Sequence, residues 1–272
     1  GISLKTLGPE HPNVANSYNN LGAVYDSQGD YPKALEYYEK SLGIWLKTLG
    51  AEHPSVATCY NNIGNVYWSQ GDHSKAIEYY EKCLAIRLKT LGAEHPNVAT
   101  SYNNLGIVYK AQGDYPKALE YYEKDLAISL KTLGAEHPDV ATSYNNLGSV
   151  YDSQGDYPKA LEYHEKSLAI KLKTSGAEHP SVATSYSNLG GVYDSQGDHS
   201  KAIEYYEKSL AIYKKALGAE HPSVATSYNN LGTVYWSQGY YSKAIEYYEK
   251  CLAIYLKTLG AEHPNVATSY NN

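Results

Sequence analysis

Apolar residues along this chain follow a helical rhythm. Within residues 53–94, Val56, Tyr60, Ile63, Gly64 and Tyr67 recur at steps of three and four, which places them on one face of a helix. Pro54 suits the first helical position, where a missing N–H costs nothing. Gly71 stops this helix and Asp72 follows as the N-cap of a second one. Ala76, Ile77, Tyr80, Leu84, Ile86 and Leu88 form the second apolar face, which ends near Gly92. The short linker Ala93-Glu94-His95 leads to the next proline. The pattern predicts a helical hairpin with arms of about 16–18 residues, each about 25 Å long.

The pattern returns every 42 residues: HP-x-VA begins at His11, His53, His95, His137, His179, His221 and His263. One hairpin cannot bury both of its apolar faces, whereas stacked hairpins can. The expected fold is all-α, a right-handed α-solenoid of stacked antiparallel helical hairpins. The array divides into six repeats, 15–56, 57–98, 99–140, 141–182, 183–224 and 225–266. Residues 1–14 read as the end of a preceding repeat and 267–272 as the start of a seventh. The chain lacks an initiator Met, and residues 1–20 nearly duplicate 253–272; the sequence reads as a segment of a longer array.

The recurring string Y-NN-LG-x-VY-x-SQGD-Y-x-KA-x-EYYEK-x-LAI resembles the tetratricopeptide repeat. In the second unit the family positions fall on Tyr60 (usually Trp), Ile63, Gly64, Tyr67, Ala76, Tyr80 and Cys83. The usual period is about 34 residues, so these hairpins are longer. With the LGAEHPxVA connector, the chain is most similar to the arrays of kinesin light chains and nephrocystin-like proteins. The resemblance covers the whole chain. It implies a groove, lined by the leading helices, that holds extended or short helical peptides.

Comparing the units with one another separates fixed from variable positions. Lys75, Glu78, Glu81, Lys82 and Lys89 have equivalents in every unit. Two positions on the leading helix change strongly. One reads Ala23, Asn65, Ile107, Ser149, Gly191, Thr233; the other, three residues on, reads Asp26, Trp68, Lys110, Asp152, Asp194, Trp236. They share a helical face with Thr58, Asn61 and Asn62 in the second unit and with Thr100, Asn103 and Asn104 in the third. In the fourth unit their neighbours are Thr142, Asn145 and Asn146; in the fifth, Asn188; in the sixth, Asn229 and Asn230. A wall of Asn amides both donates to and accepts from a peptide backbone. Trp68 and Trp236 would then anchor side chains, and Lys110 would meet an acidic group. A third variable position, Ser3, Trp45, Arg87, Ser129, Lys171, Tyr213, Tyr255, stays unassigned between groove rim and outer surface.

Composition narrows the classes. The net charge of −6, from 23 basic and 29 acidic residues, is spread thinly over the repeats. It leaves no basic stripe for nucleic acid. Mean hydropathy is −0.53, and no apolar run reaches the ~18 residues of a membrane span. Three cysteines set no metal-ligand spacing, and together with the lack of N-x-S/T sequons they point to reduced thiols in the cytoplasm. Histidines one repeat apart cannot share a zinc ion, so the His-Pro pairs read as connector chemistry. His164 replaces an aromatic and softens the core locally; Cys83 and Cys251 sit where other units carry Ser or Asp125. No phosphate-binding loop or nucleophile–base set occurs, and no cofactor is implied.

The expected function is therefore a non-enzymatic scaffold that holds a peptide of a partner protein. Two alternatives stand beside it. Complementary uncapped ends suit a head-to-tail filament built by self-association. The array would also serve as the sensor or adaptor arm of a larger multidomain protein.

Overall fold

The computed structural model describes residues 8 and 10–260, together with 263, 264, 266 and 268. Among them lie twelve helices and no strand. They form two compact units that meet in the chain at Thr132–Leu133. The first unit holds α1 (Pro12–Ser27), α2 (Tyr31–Leu49), α3 (Pro54–Ser69), α4 (His73–Leu91), α5 (Pro96–Ala111) and α6 (Tyr115–Leu133). The second holds α7 (Pro138–Ser153), α8 (Tyr157–Ser175), α9 (Pro180–Ser195), α10 (His199–Leu217), α11 (Pro222–Ser237) and α12 (Tyr241–Leu259). Leading helices have 16 residues and trailing helices 19, so the trailing arm slightly exceeds the expected length.

Both helix starts are capped by side chains. Each trailing helix except α12 begins after an aspartate whose carboxylate accepts a backbone N–H, as Asp72 does from Lys75 at 3.1 Å. The leading helices are capped by the His of the His-Pro pair: Nδ1 of His53 accepts from the Ser55 N–H at 3.1 Å, and the arrangement repeats at His11, His95, His137, His179 and His221. The connector histidines thus terminate helices, and their Nδ1 must be unprotonated to do so. Trailing helices end at glycines such as Gly92, with φ 82° and ψ 162°, a region essentially closed to side-chain-bearing residues.

Within a hairpin, one close approach fixes the packing. A Cβ on Gly64 would lie 2.7 Å from the ring of Tyr80, so glycine there makes room for a tyrosine face. The same pair recurs as Gly22–Tyr38, Gly106–Tyr122, Gly190–Tyr206 and Gly232–Tyr248. In the fourth hairpin the smaller His164 takes the ring's place over Gly148, buried but less tightly pressed.

Neighbouring hairpins within a unit share a core. In the first unit, Val14 and Ala15 of α1 and Ile44 and Trp45 of α2 pack on Val56 and Cys59 of α3. In the second, Tyr193, Ala202 and Tyr206 pack on Leu231 and Val234 of the next hairpin. Ser41, at the site held elsewhere by Cys83 and Cys251, donates to the Ala15 carbonyl at 2.8 Å. The three thiols are buried and free, and burial pushes those of Cys59 and Cys83 above the usual thiol range. The third variable position, unassigned from sequence, lies in these junctions: Trp45 is buried, Arg87 donates to the Asn97 carbonyl and Ser101 Oγ, and Lys171 donates to Ser185.

Candidate functional site

Leading helices of one unit turn the same face the same way, and the asparagines demonstrate it. Asn62 Nδ2 donates to Asn19 Oδ1 at 3.0 Å, and Asn104 Nδ2 to Asn61 Oδ1 at 3.1 Å. In the second unit Asn188 donates to Asn145 at 2.6 Å, and Asn230 reaches Ser187, which replaces the acceptor asparagine, at 3.4 Å. Each rung spans 43 residues, one repeat plus one position. Sequence reasoning offered these amides to a peptide; the structure shows them first holding one another in register. An Asn amide has two N–H donors and several acceptor sites, so one rung does not exhaust it. Asn103, Asn146 and Asn229 hold the equivalent half-buried positions and are also engaged.

The threonines expected on this face are exposed, with hydroxyls turned back onto their own helix. Thr58, Thr100 and Thr142 donate to the Pro carbonyl four residues earlier. The first variable position is half-buried from Asn65 to Thr233 and has an inward role that sequence reasoning missed. It faces the tip of the buried tyrosine on the trailing helix. Tyr80 Oη donates to Asn65 Oδ1 at 2.7 Å and Tyr248 Oη to Thr233 at 3.3 Å; Ile107, Ser149 and Gly191 occupy the same site. Burial pushes the hydroxyls of Tyr80, Tyr122 and Tyr206 far up, and that of Tyr38 up to about 12.

The second variable position carries the strongest chemical contrasts. Trp68 is half-buried and stacks on His73 with ring centroids 5.2 Å apart, while Trp236 is 58% exposed. Lys110, Asp152 and Asp194 are half-buried. His199 Nδ1 lies 3.0 Å from Asp194 Oδ1. Burial holds the Asp26 carboxyl above the usual carboxylate range.

Another repeated constellation, not anticipated from sequence, sits where the two arms meet. In the second hairpin Tyr79 stacks on Tyr67 (5.5 Å) and tilts against Tyr60 (5.9 Å), with Lys75 and Lys82 over the rings. Similar tyrosine trios occur in all six hairpins. They explain where many of the 31 tyrosines go: an apolar face packs while the hydroxyl end stays near solvent. No three metal-ligating side chains converge among the described residues, and no described helix is long and apolar enough to cross a membrane.

Seven overlapping stretches, 2–45, 27–89, 76–131, 98–173, 153–215, 196–257 and 223–272, match the family model of the tetratricopeptide repeat. No curated protein matches the chain. Among solved structures, the nearly identical TPR-like repeats of a Podosopora anserina protein described as a kinesin light chain are 36% identical, with a TM-score of 0.64 over 76% of this chain and 98% of that one. BtubC (BKLC) from P. vanneervenii is 25% identical, with a TM-score of 0.67 over 91% of this chain and 94% of that one. The all-α solenoid class expected from the pattern therefore holds, and the repeat is one that serves as a protein–protein interaction scaffold. Hairpins of 42-residue period, small residues under buried tyrosines and family-model matches along nearly the whole length lead to one assignment: this chain belongs to the tetratricopeptide repeat family, as an array of the kinesin-light-chain type.

Proposed function

We propose that the chain is a non-enzymatic scaffold that holds a peptide segment of a partner protein along the leading-helix face of its units. The amide rungs carry this reading. They align successive leading helices on one side, and the two positions that vary most between repeats stand beside them. A nearly constant amide row flanked by changing side chains suits recognition of one extended segment. The buried, free thiols agree with a reducing, cytoplasmic setting.

The test is selection of a random peptide library against the folded chain. Recovered peptides should lose about tenfold or more in affinity against Trp236→Ala or Lys110→Glu, with circular dichroism and melting nearly unchanged. Peptides that bind equally well to both variants would place the binding face elsewhere.

A further inference from the structure

In the second, fifth and sixth hairpins the tyrosine packed on the leading-helix glycine points its hydroxyl toward the first variable position. In the second and sixth hairpins a side chain there receives it, Asn65 and Thr233. In the fifth hairpin the residue is Gly191. Tyr206 Oη lies 3.6 Å from where a Cβ on Gly191 would be. Tyr206 is only 6% exposed, and its hydroxyl makes no hydrogen bond to a described residue.

Two carboxylates act on the tyrosine tip beside this gap. Asp152 and Asp194 hold the same position in successive repeats, three residues after Ser149 and Gly191, and no other neighbouring pair in that series carries like charges. Both act electrostatically on the Tyr206 hydroxyl; burial chiefly, then Asp194 and Asp152, keeps it protonated, with its oxygen able to accept. Asn188 of one leading helix bonds Asn145 of the leading helix before it at 2.6 Å, so side chains from the two helices come within hydrogen-bond reach of each other. One cationic head between two such aspartates can therefore hydrogen-bond to each. His199 Nδ1, 3.0 Å from Asp194 Oδ1, fixes the orientation of that carboxylate. An organic cation with several N–H donors suits two acidic groups and a phenol oxygen. A bare divalent ion needs more oxygen ligands than these.

We propose that the second unit holds a recognition site for a basic side chain, arginine or lysine, of the bound segment: Asp152 and Asp194 take its N–H groups, and the Tyr206 hydroxyl accepts a third across the space above Gly191. This rests on the peptide-binding reading above. It also divides the labour between hairpins, because the equivalent site in the second hairpin is closed by Asn65.

The experiment selects a random decapeptide library against the full wild-type chain, the isosteric double variant Asp152→Asn/Asp194→Asn, and Gly191→Asn, which copies the closed second hairpin. Circular dichroism and melting check each fold. The wild type should enrich arginine or lysine at one position by about tenfold or more, and both variants should lose that bias while still recovering peptides. Citrulline in place of the selected arginine should weaken wild-type binding by a similar factor and leave the double variant unaffected. Recovered peptides without a basic preference, or with one that survives in both variants, overturn this site and leave the peptide-binding reading standing. Recovery of no peptide overturns both.

Discussion

Two adjacent glycines show how much a single Cβ decides. A methyl at Gly190 would press 2.9 Å into the ring of buried Tyr206, while one at Gly191 would rest 3.6 Å from its hydroxyl. Gly190→Ala should therefore cost about 1–3 kcal/mol through overpacking. Gly191→Ala should gain up to about 1 kcal/mol from helix propensity. Urea denaturation of the two variants checks the opposite signs. The sequence marks Gly190 as special because it never varies, and marks Gly191 as variable. The smallness at Gly64 and Gly190 serves a tyrosine face. The first variable position proves to answer a tyrosine tip as well as to face outward, a contact 15 residues away that periodicity cannot reveal.

At the scale of elements, the helix boundaries were legible from Pro, Asp and Gly, and the histidine caps were not. Imidazole is an uncommon N-cap, so one histidine per connector reads as linker chemistry until Nδ1 is seen on the N–H two residues on. His95→Ala should destabilise by about 1 kcal/mol, and His95→Asn should recover most of it. The last trailing helix offers the reverse case. Tyr240 stands at its N-cap without a side-chain bond, so Tyr240→Asp should stabilise by about 1 kcal/mol in thermal melts. The aspartate caps carry a pH signature. The Lys33 ammonium and amide hold Asp30 below the usual carboxylate range, and the Lys75 amide does the same for Asp72. A carboxyl lowered on folding stabilises above its unfolded value, and that share is lost as pH falls through the lowered one. Asp30→Asn/Asp72→Asn should lack this acid step in an NMR-monitored titration.

For the whole molecule, the 42-residue period made the fold class and the stacking of hairpins readable, because every unit repeats the same unmet apolar face. What it could not supply was the cross-repeat wiring, which depends on geometry between repeats of near-identical pattern. Leu231 is fully buried where the fifth and sixth hairpins share their core. Leu231→Ala should cost about 2–5 kcal/mol, and hydrogen exchange should rise first in those two hairpins while the first unit keeps its protection. Each amide rung spans 43 residues, and each ion pair between connector and following trailing helix, such as Glu52 with Lys89, spans 37. Both offsets are measured against one repeat. Gaining or losing a whole number of repeats therefore remakes every bridge, whereas one extra residue inside a leading helix severs the rung and shifts the ring from its glycine. A gene of this kind can change length by recombination between its own near-identical units, each product being another foldable protein.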